Sequence, residues 1–216
     1  MTDSQSSELD LETARRILGE ASSIGVRLAP DSRLLYGVWG LAWLIGYLAL
    51  WTTATATTTA TTPGLPTPWA FALFYGLLAV AVVVTIVHVL RRSRGLRGDS
   101  ATSGAMYGWA WAVSFTVVGV VIGAIGATDA APSTMGLISN ALPCIVVGVL
   151  YMAGGAMYRD WPWFVLGAWI AVVAGVASAV GMPRTYLVMA IAGGGGMVVG
   201  AVAAHVVGRH RRRAGR

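Results

Sequence analysis

Long uncharged apolar runs alternate with short polar joints along this chain. The first begins after Arg33, where residues 34–51 pass without a charge. A helix of that length, rising 1.5 Å per residue, spans the hydrocarbon core of a bilayer. Tyr36, Trp39 and Trp43 near its start and Trp51 at its end are amphipathic rings of the kind that favour the two water boundaries. Five further runs follow, at 69–90, 105–126, 135–157, 161–181 and 185–207. The pattern predicts an all-α, polytopic membrane protein with six transmembrane helices over residues 34–207.

The joints carry less structure. In residues 1–33, Ser7 precedes Glu8, Asp10 and Glu12, which places a capping hydroxyl and acids at a helix N-terminus. Leu11, Ala14, Ile17, Leu18 and Ala21 then share one side at helical spacing, with Glu12 and Arg16 paired four apart. This predicts an amphipathic helix over 7–23, lying on the membrane surface or tucked against the bundle's loops. The acidic beginning does not resemble the basic start of a cleavable signal peptide. The tract 52–68, rich in threonine and broken by three prolines, reads as an irregular outer loop. Residues 208–216 form a basic tail.

Composition sharpens the class. The chain of 216 residues is 56% hydrophobic and 11% charged, with mean hydropathy +0.69. Soluble domains carry about 25% charged residues. The net charge of +6 comes from arginine alone, there being no lysine. A basic chain suggests nucleic acid as a partner, but clustered arginine beside apolar runs is first a topology signal, and no nucleic acid is expected. With the N-terminus inside, Arg15, Arg16, Arg27, Arg33, Arg91, Arg92, Arg94, Arg97, Arg159, Arg209, Arg211, Arg212 and Arg213 all fall on the cytosolic side. Only Arg184 lies opposite. Both termini are therefore expected in the cytosol and the chain in the plasma membrane. The 91–97 cluster and the tail should also attract anionic lipid. Cys144, the single cysteine, rules out a disulfide framework within one chain.

Chemistry-bearing residues are few. Asn140, the only asparagine, sits about 8–10 Å below the outer boundary at 1.5 Å per residue. Pro143 lacks the N–H that the Ser139 carbonyl would accept in a helix. Polar groups at that depth need partners, so Ser139, Asn140 and Pro143 should face the bundle interior. Two readings stand: an interhelical hydrogen bond, or the polar lining of a path, the first being the commoner use. His88 and His205 lie at similar depth on spans two and six, as a bis-histidine haem requires. No haem-attachment motif accompanies them, and histidines at a boundary usually reach water; no cofactor or metal is expected. Gly119 with Gly123, Gly104 with Gly108 and Gly196 with Gly200 make GxxxG pairs, and Gly193, Gly194, Gly195 and Gly196 form an unbroken run. These are the candidate packing positions. Trp169, in mid-span, reads as core. No acid falls inside a span: Asp31, Asp99, Asp129 and Asp160 sit at boundaries or in loops. Neither a carboxylate proton relay nor a paired-aspartate or HExxH protease is supported, so the chain is expected not to be an enzyme.

The segment 31–51, above all RLLYGVWGLAWLIGYLALW, resembles the opening of small uncharacterised six-helix integral membrane proteins of bacterial type. The whole plan is similar in topology to the membrane subunits of ABC-2-type exporters: six spans, cytosolic termini, an N-terminal elbow and a basic loop between spans two and three. Met182, Pro183 and Arg184 leave no room for the re-entrant segment those subunits carry after span five. The expectation is a membrane subunit or accessory of a multi-component system, partnered by lipid and by other membrane subunits, a cytosolic protein or further copies of itself. The alternative is a small permease with its path at Asn140.

Overall fold

The computed structural model describes Thr13 and residues 32–61, 64–93 and 99–214. The helix expected over 7–23 therefore lies outside the described residues, Thr13 apart, as do Arg94 and Arg97. The chain is all-helical there: α1 (Ser32–Thr57), α2 (Pro68–Ser93), α3 (Asp99–Gly126), α4 (Pro132–Tyr158), α5 (Trp161–Val180) and α6 (Arg184–Val188). A π-helical segment, Met189–Gly195, joins α6 to α7 (Gly196–Ala214). Six helices are long and apolar enough to cross a membrane, the sixth being the composite Arg184–Val206. This is the architecture of a multi-pass membrane protein.

The ends of the helices follow local chemistry. Pro132 and Pro162 stand in the first turns of α4 and α5, where a missing N–H costs nothing. Asp160 caps α5, its Oδ1 accepting from the Trp163 N–H at 3.0 Å. Helix α1 runs six residues past Trp51, into the tract expected to be loop. The threonines make this possible. Thr52, Thr53 and Thr55 each donate a hydroxyl proton back to a carbonyl three or four residues earlier, so the side chains satisfy themselves on the helix surface. The loop then folds back on the helix end: Thr57 donates to the Leu65 carbonyl at 2.9 Å and the Gly64 N–H to Thr58 at 3.0 Å. Helix α4 continues through Pro143. Helix α7 carries the backbone of the arginine tail to Ala214.

Helix contacts run in the order α2, α1, span six, α5, α4, α3. Helix α1 is the hub, packed on α2 and along all three parts of span six, and α4 and α5 form the most extensive pair. Helix α3 rests mainly on α4 and α2 mainly on α1, and these two are the least covered spans. The core comprises Trp43, Tyr47, Leu50, Phe74, Cys144, Ile170, Ala174, Ala177, Tyr186, Met189 and Met197. Trp43, placed by the sequence at a water boundary, is 6% exposed and belongs to this core.

Candidate functional site

Helices in a membrane gain little from burying apolar area against each other, since lipid is as apolar as leucine; close packing and hydrogen bonds hold them. In this bundle aromatic N–H and O–H groups supply several of the polar ties. The Trp39 indole donates to Thr85 at 2.9 Å and fixes α2 on α1. The Tyr107 hydroxyl donates to the Leu150 carbonyl at 2.8 Å and fixes α3 on α4. The Trp169 indole donates to the Ala192 carbonyl at 3.0 Å and fixes α5 on the π segment. That carbonyl is accessible because the Gly196 N–H turns to the Gly193 oxygen, not to Ala192 four residues before it. Trp169 is therefore no core residue: it is 45% exposed and acts through its indole nitrogen.

The tie between α1 and α4 is the candidate site. The Tyr47 hydroxyl donates to Asn140 Oδ1 at 2.5 Å, across 93 positions of sequence. Tyr47 is 4% exposed and Asn140 6%. Tyr47 is held by Phe74 (ring centroids 4.7 Å apart), Trp43 (5.7 Å) and Tyr186 (6.3 Å). Cys144, one turn beyond Asn140, is buried in the same core cluster as Tyr47. Asn140 Nδ2 is buried with no hydrogen-bond partner among the described residues. The sequence expectation that Asn140 faces inward is met; Ser139 and Pro143 beside it are half-buried. What the sequence reading did not supply was the partner. Tyr47 stood in an aromatic-rich span with nothing to single it out.

The glycines divide. A Cβ at Gly194 would press on the Leu44 backbone, 2.8 Å from its Cα. One at Gly193 would lie 3.0 Å from the Trp43 ring, and one at Gly196 2.8 Å from Trp169 Nε1. At Gly195 the nearest atom is 3.8 Å away and at Gly200 3.9 Å, ordinary contact distances. Among the described residues, nothing lies within 4 Å of a Cβ at Gly119, Gly123 or Gly108. Close contacts that the sequence reading missed are at Gly40 against Val198, Gly148 against Ala171 and Gly167, and Gly155 against Phe164. None of these falls in a GxxxG pair that the reading had marked.

The remaining candidates lie at helix ends. His88 is half-buried on α2 and His205 exposed on α7. Among the described residues no three of His, Cys, Asp and Glu come together to hold a metal. Arg91 is exposed, and Arg92, Arg209, Arg211, Arg212 and Arg213 belong to helical backbone. Buried uncharged donors, acceptors and a thiol can bind by hydrogen bonding and shape; they hold a helix pair or a neutral polar group. Comparison with family models, curated proteins and solved structures returns no match for this chain.

Proposed function

We propose that this chain is a non-enzymatic membrane subunit or accessory of a multi-component system, an ABC-type export system being the one its topology resembles. It sits in the plasma membrane with both ends cytosolic and works through contacts with neighbouring helices. The observation that carries this reading is the surface of α3. Gly108, Gly119 and Gly123 present backbone with nothing of the described residues against it, whereas Gly148, Gly155, Gly167 and Gly194 each seat a helix of this chain. Small residues let membrane helices approach closely.

Affinity purification in mild detergent tests the reading. The expected result is a stoichiometric partner that is lost when Gly119 and Gly123 are both replaced by Leu, while the variant still inserts and stays monodisperse. A wild-type chain that purifies alone, as a monomer, overturns it. The permease reading retains one specific support, the unpartnered Asn140 Nδ2.

Orientation is tested by labelling in a Cys144→Ser background. Cysteine at Thr58 should react with an impermeant thiol reagent on intact cells, and cysteine at Ser93 only after the membrane is opened. Labelling at Ser93 in intact cells reverses the assignment.

A further inference from the structure

The turn between α4 and α5 encloses a cleft of about 350 Å³ lined by Gly155, Ala156, Arg159, Asp160, Trp161 and Phe164. It lies at the polar ends of two membrane spans, the depth of lipid headgroups. Two of its backbone donors are already used. The Arg159 N–H bonds to the Ala156 carbonyl at 3.4 Å and the Asp160 N–H to the Gly155 carbonyl at 2.8 Å. The Asp160 Oδ1 is taken by the Trp163 N–H. What remains on offer is one guanidinium and one carboxylate oxygen. The two side chains are neighbours in sequence, yet among the described residues no ion pair joins them, and the Arg159 guanidinium donates no hydrogen bond. Arg159 stands in the left-handed region at φ 53°.

The rest of the wall is apolar. Trp161 and Phe164 stack with ring centroids 5.4 Å apart and planes 10° from parallel, and Trp161 is 71% exposed. An indole so exposed at a boundary is placed for the ester region of a lipid.

We propose that this cleft is a headgroup site for a phospholipid whose phosphodiester carries a primary ammonium, a phosphatidylethanolamine. The guanidinium pairs with the phosphodiester, for which its fork of donors is suited. The ammonium, with three donors, satisfies the open oxygen of Asp160. The apolar wall takes the glycerol esters. Phosphatidylglycerol and phosphatidylcholine each leave one side of the cleft unmet. A purely anionic headgroup sets its charge beside the Asp160 carboxylate, and a quaternary ammonium has no proton to give it. The site is independent of the subunit reading above.

The test is lipid retention by the full-length chain in mild detergent, followed by native mass spectrometry. Phosphatidylethanolamine, phosphatidylglycerol and phosphatidylcholine of matched acyl chains are titrated in turn. The wild type should hold the ethanolamine lipid about tenfold more tightly than the other two, the worth of one charge-assisted contact. Arg159→Asn suits the left-handed backbone and should remove that advantage. Asp160→Asn keeps the helix cap but not the charge, and should transfer the preference to phosphatidylglycerol. Equal retention of all three lipids by the wild type overturns the proposal, as does an unchanged preference in both variants. Soluble glycerophosphoethanolamine is the control for source: displacement of the lipid at equal concentration would overturn the lipid assignment. Should either variant fail to fold, the wild-type ranking and this competition still decide.

Discussion

Alanine at Gly167 or Gly194 is expected to unfold or scramble the bundle, while the same change at Gly119 should stabilise it. Taken alone, helix propensity favours alanine over glycine by about 1 kcal/mol. At Gly167 the added Cβ would lie 2.6 Å from both the Gly148 carbonyl oxygen and the Met152 nitrogen. At Gly194 it would stand 2.8 Å from the Leu44 Cα and 2.9 Å from the Gly40 oxygen. All of these are backbone atoms, which no rotamer change can withdraw. The helices must separate instead, and overpacking then costs about 3 kcal/mol, the top of the usual range, which outweighs the propensity gain. At Gly119 nothing among the described residues lies within 4 Å of the methyl, so propensity alone sets the sign. Thermal unfolding in detergent, followed by loss of monodispersity, should rank Gly194→Ala and Gly167→Ala well below wild type and Gly119→Ala at or above it. Equal midpoints for all three would mean that the contacts of α1 with span six and of α4 with α5 are not those described.

The same glycines show where the sequence could and could not be read. The six spans were legible because each is a charge-free run long enough to cross a bilayer, a property of the run that needs no knowledge of its neighbours. The inward direction of Asn140 was legible for a similar reason: a carboxamide at that depth must find a partner inside the protein. Its partner was not. Any of several aromatic hydroxyls has the right chemistry, and only the tertiary arrangement that brings a side chain of α1 to α4 selects Tyr47. GxxxG spacing marks a surface that permits close approach without saying whether a helix of the same chain fills it. Gly119 and Gly123 match the spacing on the open α3, whereas Gly148 and Gly155, seven apart, carry the α4–α5 contact. Low complexity suggested loop for the threonine tract because composition is blind to side chains that bond their own helix. Trp169 was misplaced because its position in mid-span says nothing of a carbonyl exposed by a π segment on another helix.

Removing the Tyr47 hydroxyl is expected to cost more stability than removing the Asn140 carboxamide, although both lie in the same hydrogen bond. Tyr47→Phe keeps the ring among Phe74, Trp43 and Tyr186 and deletes only the donor. Asn140 would then hold Oδ1 as well as Nδ2 buried and unpartnered, at about 1–3 kcal/mol for the newly orphaned group. Asn140→Leu removes both amide ends together and offers an apolar side chain to an apolar surround. The hydroxyl it orphans can turn within its own aromatic cluster, where Cys144 is also buried. Its net cost should be under about 1 kcal/mol, as membrane hydrogen bonds measured in double-mutant cycles average near 0.6. A cycle built from the two variants and their double should return a coupling of about 0.6–2 kcal/mol. Zero coupling would show that the bond does not tie α1 to α4. The cycle also separates the two functional readings when the activity of the assembled system is followed in the same cells. Under the subunit reading, activity falls only as far as stability does, and Asn140→Leu stays nearly silent. If Asn140→Leu keeps its stability and its partners yet loses transport, the buried carboxamide serves a passing solute, and the permease reading takes precedence.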